Sequence, residues 1–364
     1  MERAAYPARE PDGIEASPRR NPLVQNLSRK EIPSLFGLRG LAALAVVIFH
    51  YTDRKGLMAL FPGPYAVTLF FELSGLLITW LLLKEIDQNG SMDRRQFYLR
   101  RALRLFPVLY FVWILCRLHG PFPGDWCTFF YMGDYYYAFR QNYGPMTVAW
   151  SLGVEEKFYL LWPFLLARVE RYKLVKIIFV ILIGEPIYRS LLSVLGHAPY
   201  TWFAFDCHLD SILVGCLIAI VAKRGWNPPR WISHPWTPVC PLVLVFALQS
   251  QSDIVTYLLA VILVSTICHP SRLLNNPVVR YLGLISYSLY LCHGYSLDYL
   301  WPVLGARHIH NAVLVFIAKI ALAISSATVL HFTVERPMLR LKDRFHRKPR
   351  TQSNVATRRT ALNC

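Results

Sequence analysis

Apolar segments long enough to enter a membrane recur along most of the chain, separated by short polar, Pro-rich or Gly-rich breaks. A helix needs about 20 apolar residues to cross the hydrocarbon core of a bilayer. The segments lie at residues 34–52, 65–83, 102–118, 151–169, 174–195, 209–222, 239–250, 254–268, 281–304 and 311–333. This pattern predicts an all-α, polytopic membrane helical bundle with about ten transmembrane helices. The short segment at 239–250 leaves the count open by one.

Composition favours a membrane environment over an aqueous one. Of the 364 residues, 54% are hydrophobic and only 17% are charged, which is too apolar for an ordinary soluble chain of this length. The net charge of +17 raises the question of a nucleic-acid partner. Because the basic residues are scattered between apolar segments and form no single basic domain, we predict no nucleic acid and take the lipid bilayer as the partner.

The distribution of Lys and Arg predicts the orientation of the bundle. With ten spans and the N-terminus inside, the inside segments hold 30 of the 39 Lys and Arg residues and the outside loops hold six. Cytoplasmic loops of membrane proteins are enriched in these residues. Both termini are therefore expected in the cytoplasm.

The two ends of the chain carry little recognisable chemistry. Residues 1–33 are polar and Pro-rich, which predicts a disordered cytoplasmic leader and no signal peptide. Residues 34–340 form the membrane domain, and residues 341–364 form a basic cytoplasmic tail. The eight cysteines show no metal-binding spacing and are expected to be small core residues. No nucleotide-binding or zinc-hydrolase motif occurs, so we predict neither a metal nor a permanently bound cofactor.

The first span carries two ionisable residues, Arg39 and His50. Eleven residues of helix bring the second almost over the first, with a rise of roughly 16 Å. Charged groups inside a membrane usually face a cavity in the protein. The alternative is that Arg39 reaches the inner headgroups and His50 lies at the outer interface.

Adjacent carboxylates, Glu155 and Glu156, follow Trp150 and Ser151 at the start of the fourth span, near its predicted outer end. Adjacent helical residues point about 100° apart, so at most one of the two carboxylates is expected to face a cavity. Glu155 is expected to share a face with Ser151, and Glu156 to share one with Tyr159. The alternative is an interfacial ion pair with the neighbouring Lys157.

Arginines mark the inner end of the third span. Arg101 and Arg104 are three residues apart and lie on neighbouring positions of one helix face. Guanidinium groups bind phosphate through two hydrogen bonds, so this pair, with Arg39, is suited to clamp a phosphorylated cytoplasmic substrate. Topology alone is the competing explanation of their positive charge.

Hydroxyl and imidazole groups recur in other spans. Ser286, Tyr290 and His293 lie close to one face of the ninth span. Ser74 lies in the second span and Asp210 at the outer start of the sixth. Serines in spans often bond only to their own helix or permit close packing, which is the alternative to a role in a site.

Six motifs in register along residues 33–340 resemble the acyltransferase-3 family of integral membrane O-acyltransferases. They are GLRGLAALAVVIFH (37–50), FFELSG (70–75), LRRALRLFP (99–107), WSLGVEEKFYLLWP (150–163), LGLISYSLYLCH (282–293) and VERP (334–337). The resemblance implies a bundle of roughly ten helices that transfers acyl groups, often acetyl, from cytoplasmic acyl-CoA to hydroxyls of glycans, glycolipids or natural products. It also implies a multi-pass protein of the bacterial inner membrane.

The resemblance assigns roles to the residues that match its motifs. It implies that acyl-CoA is the donor substrate. From the order of the ionisable residues across the membrane we expect His50 to be the general base or a transient acyl carrier, oriented by Glu155 or Glu156, because imidazole transfers protons and attacks carbonyls near neutral pH. The catalytic set is His50, Arg39, Glu155 and Glu156. The donor-binding set is Arg101, Arg104, Ser74 and Tyr287. The acceptor-binding set is Trp150, Ser151, Tyr290 and His293, to which its position at the outer start of the sixth span adds Asp210.

Two positions depart from the family pattern. Phe36 stands where many members carry Asp, and Glu72 occupies a usually apolar position in the second span. Glu72 is expected to supply a replacement carboxylate or to narrow the choice of acceptor.

Three other functions remain open. One is a non-catalytic membrane scaffold, in which the motif residues should tolerate substitution. Within the enzyme class, the alternative acceptor is a small hydroxylated natural product. In another class, a proton-coupled permease would use the intramembrane Arg, His and Glu as a relay, and it would show no acyl transfer.

Overall fold

A computed structural model describes residues 21–29, 31–32, 34–52, 63–248, 253–304 and 311–344. The regular structure within these ranges is helical. The α-helices are α1 Pro22–Leu27, α2 Leu35–Tyr51, α3 Gly63–Asn89, α4 Arg94–Leu118, α5 Asp125–Phe129, α6 Gly133–Arg140, α7 Trp150–Arg168, α8 Arg171–Val194, α9 Ala198–Phe203, α10 Leu209–Lys223, α11 Val239–Leu248, α12 Ile254–Cys268, α13 Pro277–Leu284, α14 Ser286–Tyr295, α15 Trp301–Val303, α16 Ala312–Leu330 and α17 Arg336–Arg344.

The apolar segments of the sequence coincide with helices, which confirms the all-α class. Among the described residues, three helices are long and apolar enough to cross a membrane: Gly63–Asn89, Arg171–Val194 and Ala312–Leu341. The apolar stretch of α3 is 72% buried, whereas the other two are 17% buried. Helix α3 therefore lies inside the bundle, and the other two expose apolar side chains at its periphery, where lipid can solvate them. The number of crossings and the side of the termini stay predictions.

The ninth predicted span is interrupted in the structure. Helix α13 begins at Pro277, and a break at Ile285 separates it from α14. A π-helical segment, Ser296–Leu300, follows α14. Such segments are frequent at functional sites.

The first residues differ from the sequence expectation. Residues 22–27, expected in a disordered leader, form α1, which is capped by the side chain of Asn21. Leu23 is fully buried, and Asn26 Nδ2 donates a hydrogen bond to the carbonyl oxygen of Ile267 at 2.7 Å. The helix is stabilised by this contact with α12, which local composition does not encode. The rest of the predicted leader up to residue 20, and the predicted tail from residue 345, lie outside the described residues.

Helices α3 and α10 cross at two glycines. A Cβ atom on Gly75 would lie 1.9 Å from the carbonyl oxygen of Ile212, and one on Gly215 would lie 2.0 Å from that of Glu72. The two backbones are therefore in direct contact, as small residues permit in membrane helices. This crossing fixes α3, which carries Phe71 and Ser74 into the candidate site.

Substitution at this crossing should destabilise the fold. Gly75→Ala is expected to lower the Tm of the detergent-solubilised protein by about 5 °C or more, since the added methyl group overpacks a backbone contact. Fluorescence-detected thermal unfolding measures the effect. The matched control is Gly184→Ala in α8, where a Cβ atom would meet nothing within 4 Å. Equal Tm values for the two variants would contradict the packing argument.

Candidate active site

A cavity of about 250 Å³ lies between helices α2, α3, α4, α7 and α14, and we call it the arginine cavity. Its lining includes nine of the candidate residues that the sequence singled out. These are Arg39, Ser74, Arg101, Arg104, Ser151, Glu155, Ser286, Tyr287 and Tyr290. Residues from five separate helices thus converge on one space.

Positive charge dominates the arginine cavity. Among the described lining residues, the guanidinium groups of Arg39, Arg101 and Arg104 share it with one carboxylate, Glu155. Arg29, from the segment after α1, also lines it, and sequence analysis missed this residue. Arg101 lies over the ring of Tyr159, 5.2 Å from its centroid. An excess of guanidinium groups in a partly buried cavity is suited to an anionic ligand such as phosphate.

Glu155 is held by two hydroxyl groups. Ser74 Oγ donates to Glu155 Oε1 at 2.6 Å, and Tyr159 Oη donates to Glu155 Oε2 at 3.0 Å. The sequence pattern placed Tyr159 on the face of Glu156, so the contact between Tyr159 and Glu155 was not predicted. The four-residue spacing from Glu155 to Tyr159, which brings helical side chains together, was the available signal.

The two adjacent carboxylates point in different directions, as their spacing predicts. Glu155 lines the arginine cavity. Glu156 is not among the lining residues, and its Oε1 is buried without a hydrogen-bond partner in the described part of the chain. The sequence expectation separated the carboxylates toward the outside from the arginines toward the inside. In the structure, Glu155 occupies the same cavity as the three arginines.

Two tyrosine hydroxyl groups of α14 bind backbone carbonyls of neighbouring segments. Tyr287 Oη donates to Leu105 O at 2.6 Å. Tyr290 Oη donates to Val148 O at 2.8 Å and lies 2.7 Å from Ser151 Oγ. These bonds fix α14 against α4 and against the segment before α7, so the two tyrosines shape the cavity wall.

His50 and His293, the histidine pair, lie together with ring centroids 5.0 Å apart. Neither residue is among those lining the arginine cavity. Tyr290, which does line it, precedes His293 by three residues, or about 4.5 Å along the helix. The histidine pair therefore lies about one helical turn beyond the cavity along α14.

The hydrogen bonds of the histidine pair define which ring nitrogen carries the proton. His50 Nδ1 lies 2.9 Å from Val46 O, and His293 Nδ1 lies 3.3 Å from Leu289 O. A carbonyl oxygen only accepts, so Nδ1 is the donor and Nε2 of the neutral ring carries the lone pair. His293 Nε2 is buried with no partner among the described residues. His50 is exposed at the end of α2.

A second cavity, of about 400 Å³, borders the first, and we call it the tryptophan cavity. Trp150 and Trp202 line it, as do His208 and the charged pair Arg189 and Asp253. Phe71 lines both cavities. Trp150 was predicted as a site residue from the sequence, and Arg189 was not. The available signal for Arg189 was an oppositely charged partner, Glu185, four residues earlier in an apolar helix.

Asp210 forms an ion pair with Arg189 and lines neither of the two cavities. It is fully buried, and its Oδ2 lies 2.6 Å from Arg189 Nη2. Asp210 thus positions Arg189, whose side chain lines the tryptophan cavity. Direct contact of Asp210 with a ligand stays a prediction.

Glu72 does not line the cavity that contains Arg39. Its side chain is fully buried, and neither carboxylate oxygen has a hydrogen-bond partner within the described ranges. Glu155 is the carboxylate that shares a cavity with Arg39, so the expected replacement by Glu72 has no support in the geometry.

Comparison with known proteins gives a consistent picture. The sequence model of a family described as "Acyltransferase domain" matches residues 32–332. Peptidoglycan O-acetyltransferase OatA of Listeria monocytogenes is 30% identical over 76% of this chain and 51% of its own length. A putative peptidoglycan O-acetyltransferase of Bacillus subtilis is 29% identical over 72% of this chain and 48% of its own. The chain spans about half the length of these relatives. No solved structure matches it significantly.

Proposed function

Because the chain belongs to the acyltransferase-3 family, whose model covers most of it, we propose that it is a membrane O-acyltransferase. It moves an acyl group, acetyl in the first instance, from cytoplasmic acyl-CoA to a hydroxyl of a glycan or glycolipid at the outer side of the membrane. The relatives named as O-acetyltransferases support the choice of acetyl. Their bacterial sources support a location in the bacterial cell membrane, and the long apolar helices support a multi-pass protein.

The observation that carries the proposal is the arginine cavity. Among the described lining residues, four guanidinium groups, those of Arg39, Arg101, Arg104 and Arg29, stand against one carboxylate, and this excess of positive charge suits the multiply charged phosphates of coenzyme A. In this proposal Arg101 and Arg104 bind the phosphates, with Arg39 beside them. Ser74 and Tyr287 form the wall along which the acyl arm extends. The thioester then approaches the histidine pair, one turn farther along α14.

His50 is the proposed general base. Its Nδ1 is oriented by the carbonyl of Val46, so the backbone fills the orienting role that the sequence assigned to Glu155 or Glu156. Nε2 takes the proton from the acceptor hydroxyl while the oxygen of that hydroxyl attacks the carbonyl carbon of the thioester. The new C–O bond forms, the C–S bond breaks, and the proton passes to the departing thiolate of coenzyme A. Transient acylation of His50 is the alternative route to the same products.

Transfer of radiolabelled acetyl from acetyl-CoA tests the proposal. Membranes that express the protein should incorporate label into the glycan or lipid fraction, and membranes that express His50→Ala should not. A proton-coupled permease predicts no incorporation in either sample. Label in a small soluble product would redirect the acceptor to a hydroxylated metabolite.

A further inference from the structure

The two cavities meet at an aromatic partition formed by Phe71, Trp150 and His208. The ring centroids lie 5.9 Å apart for Phe71 and Trp150, 5.4 Å for Phe71 and His208, and 5.0 Å for Trp150 and His208. Phe71 lines both cavities and is 1% exposed. The partition thus separates the arginine cavity from the tryptophan cavity by the thickness of a few rings.

The tryptophan cavity also lies beside the end of α2 that carries His50. A Cβ atom on Gly63 would lie 2.2 Å from the Cβ of Phe49, so the first turn of α3 packs on the residue before His50. That same turn supplies Pro64 and Tyr65 to the cavity lining. A ligand in this cavity would therefore lie next to the proposed donor site and against the turn of α3 that packs on the residue before His50.

The lining combines aromatic faces with hydroxyl and carboxylate groups. Trp202 is 43% exposed and offers a broad apolar face. Thr256, Ser193 and Asp253 supply polar groups around it. Cavities of 300–1,000 Å³ with an apolar wall and a few polar groups are typical of small-molecule sites. A sugar ring has the matching chemistry, with C–H groups on its face and hydroxyls on its edge.

The charges of the lining disfavour an anionic ligand. The guanidinium of Arg189 pairs with three carboxylates, Glu185, Asp210 and Asp253. His208 Nε2 lies 3.2 Å from the carbonyl oxygen of Trp202. Because a carbonyl oxygen only accepts, Nε2 is the donor of the neutral ring, and its hydrogen is bonded to Trp202. The described lining therefore offers no uncompensated cation, and Asp253 would repel a carboxylate.

We propose that the tryptophan cavity is the acceptor site and that it selects an uncharged sugar ring over one that carries a carboxylate. This inference rests on the proposed function, and it adds both the place and the charge class of the acceptor. Trp202 stacks on the ring, and Asp253 accepts hydrogen bonds from its hydroxyls.

Calorimetric titration of the purified full-length protein tests the inference without depending on catalysis. The probes are tetra-N-acetylchitotetraose, which is uncharged, and a hyaluronan tetrasaccharide, which carries carboxylates. We expect chitotetraose to bind at least tenfold more tightly than the hyaluronan fragment. Trp202→Ala should weaken chitotetraose binding about tenfold, and Trp202→Phe should restore most of it, because the aromatic face is kept. The matched control is Trp236→Ala, at a tryptophan that is 74% exposed and absent from both linings.

Each result has a defined meaning. Equal binding of the two sugars, binding of neither, or an unchanged affinity in Trp202→Ala would overturn the inference. Binding of acetyl-CoA is titrated on the same samples. If acetyl-CoA binds and chitotetraose does not, the acceptor site is wrong while the proposed function stands. If chitotetraose binds as expected and acetyl-CoA does not, the proposed function fails.

Discussion

Replacing His50 with alanine should lower the kcat of acetyl transfer by about 1,000-fold. Positioned general acid–base groups contribute 100- to 10,000-fold to rates, and in the proposed mechanism His50 takes the acceptor proton. The KM for acetyl-CoA should change little, because the phosphates are bound in the arginine cavity, where His50 is not a lining residue. Steady-state transfer of labelled acetyl by purified protein gives both constants.

The matched control for this variant is His269→Ala. His269 is exposed in the turn after α12 and lines neither cavity. His269→Ala should leave the kcat of acetyl transfer and the KM for acetyl-CoA unchanged. His50→Ala should elute as a monodisperse protein with an unchanged Tm, since His50 is an exposed residue at the end of α2. Retained turnover in a well-folded His50→Ala protein would remove the residue from the mechanism.

Neutralising the two arginines of α4 should mainly weaken donor binding. Arg101→Gln and Arg104→Gln are each expected to raise the KM for acetyl-CoA about 10- to 100-fold. A hydrogen bond to a charged group contributes about 1.5–3 kcal/mol, and about 1.4 kcal/mol corresponds to a factor of ten. Acetyl-pantetheine is the diagnostic substrate because it keeps the thioester and lacks the phosphates. Its kcat/KM should be nearly the same in the variants and in the unmodified protein.

Arg100→Gln provides the control on the same helix. Arg100 precedes Arg101, pairs with Glu85 at 3.6 Å and is not part of the cavity lining. It should leave the KM for acetyl-CoA unchanged. If Arg101→Gln and Arg104→Gln reduced the reaction of acetyl-pantetheine as strongly as that of acetyl-CoA, the arginines would be shaping the site and not binding phosphate.

The helical architecture could be predicted from the sequence because apolar length is a local property. The first predicted span, 34–52, and the fifth, 174–195, match α2 and α8 within a few residues at each end. The break at Ile285 was not predicted. The sequence carries only weak signals there, because Gly283 precedes the break by two residues and Ser286 follows it, and small residues are common inside membrane helices.

The arginine cavity was predicted better than the tryptophan cavity. Helical spacing placed Arg101 and Arg104 on one face and their cytoplasmic position grouped them with Arg39, whereas the sequence placed Glu155 toward the opposite side of the membrane. The tryptophan cavity depends on contacts between residues far apart in the sequence, such as the ion pair of Arg189 with Asp253. Such contacts leave no periodic signal, and of the residues that the sequence assigned to acceptor binding only Trp150 lines this cavity.

The most direct test of acyl transfer across the membrane is the side from which the protein uses acetyl-CoA. Labelled acetyl-CoA is supplied to inverted vesicles and to right-side-out vesicles that contain the protein and the acceptor, since this multiply charged substrate does not cross a bilayer. If the cytoplasmic face binds the donor, we expect label on the lumenal acceptor of inverted vesicles and none in right-side-out vesicles. His50→Ala should be inactive in both. Equal labelling of intact right-side-out vesicles, or labelling that persists in His50→Ala, would contradict this expectation.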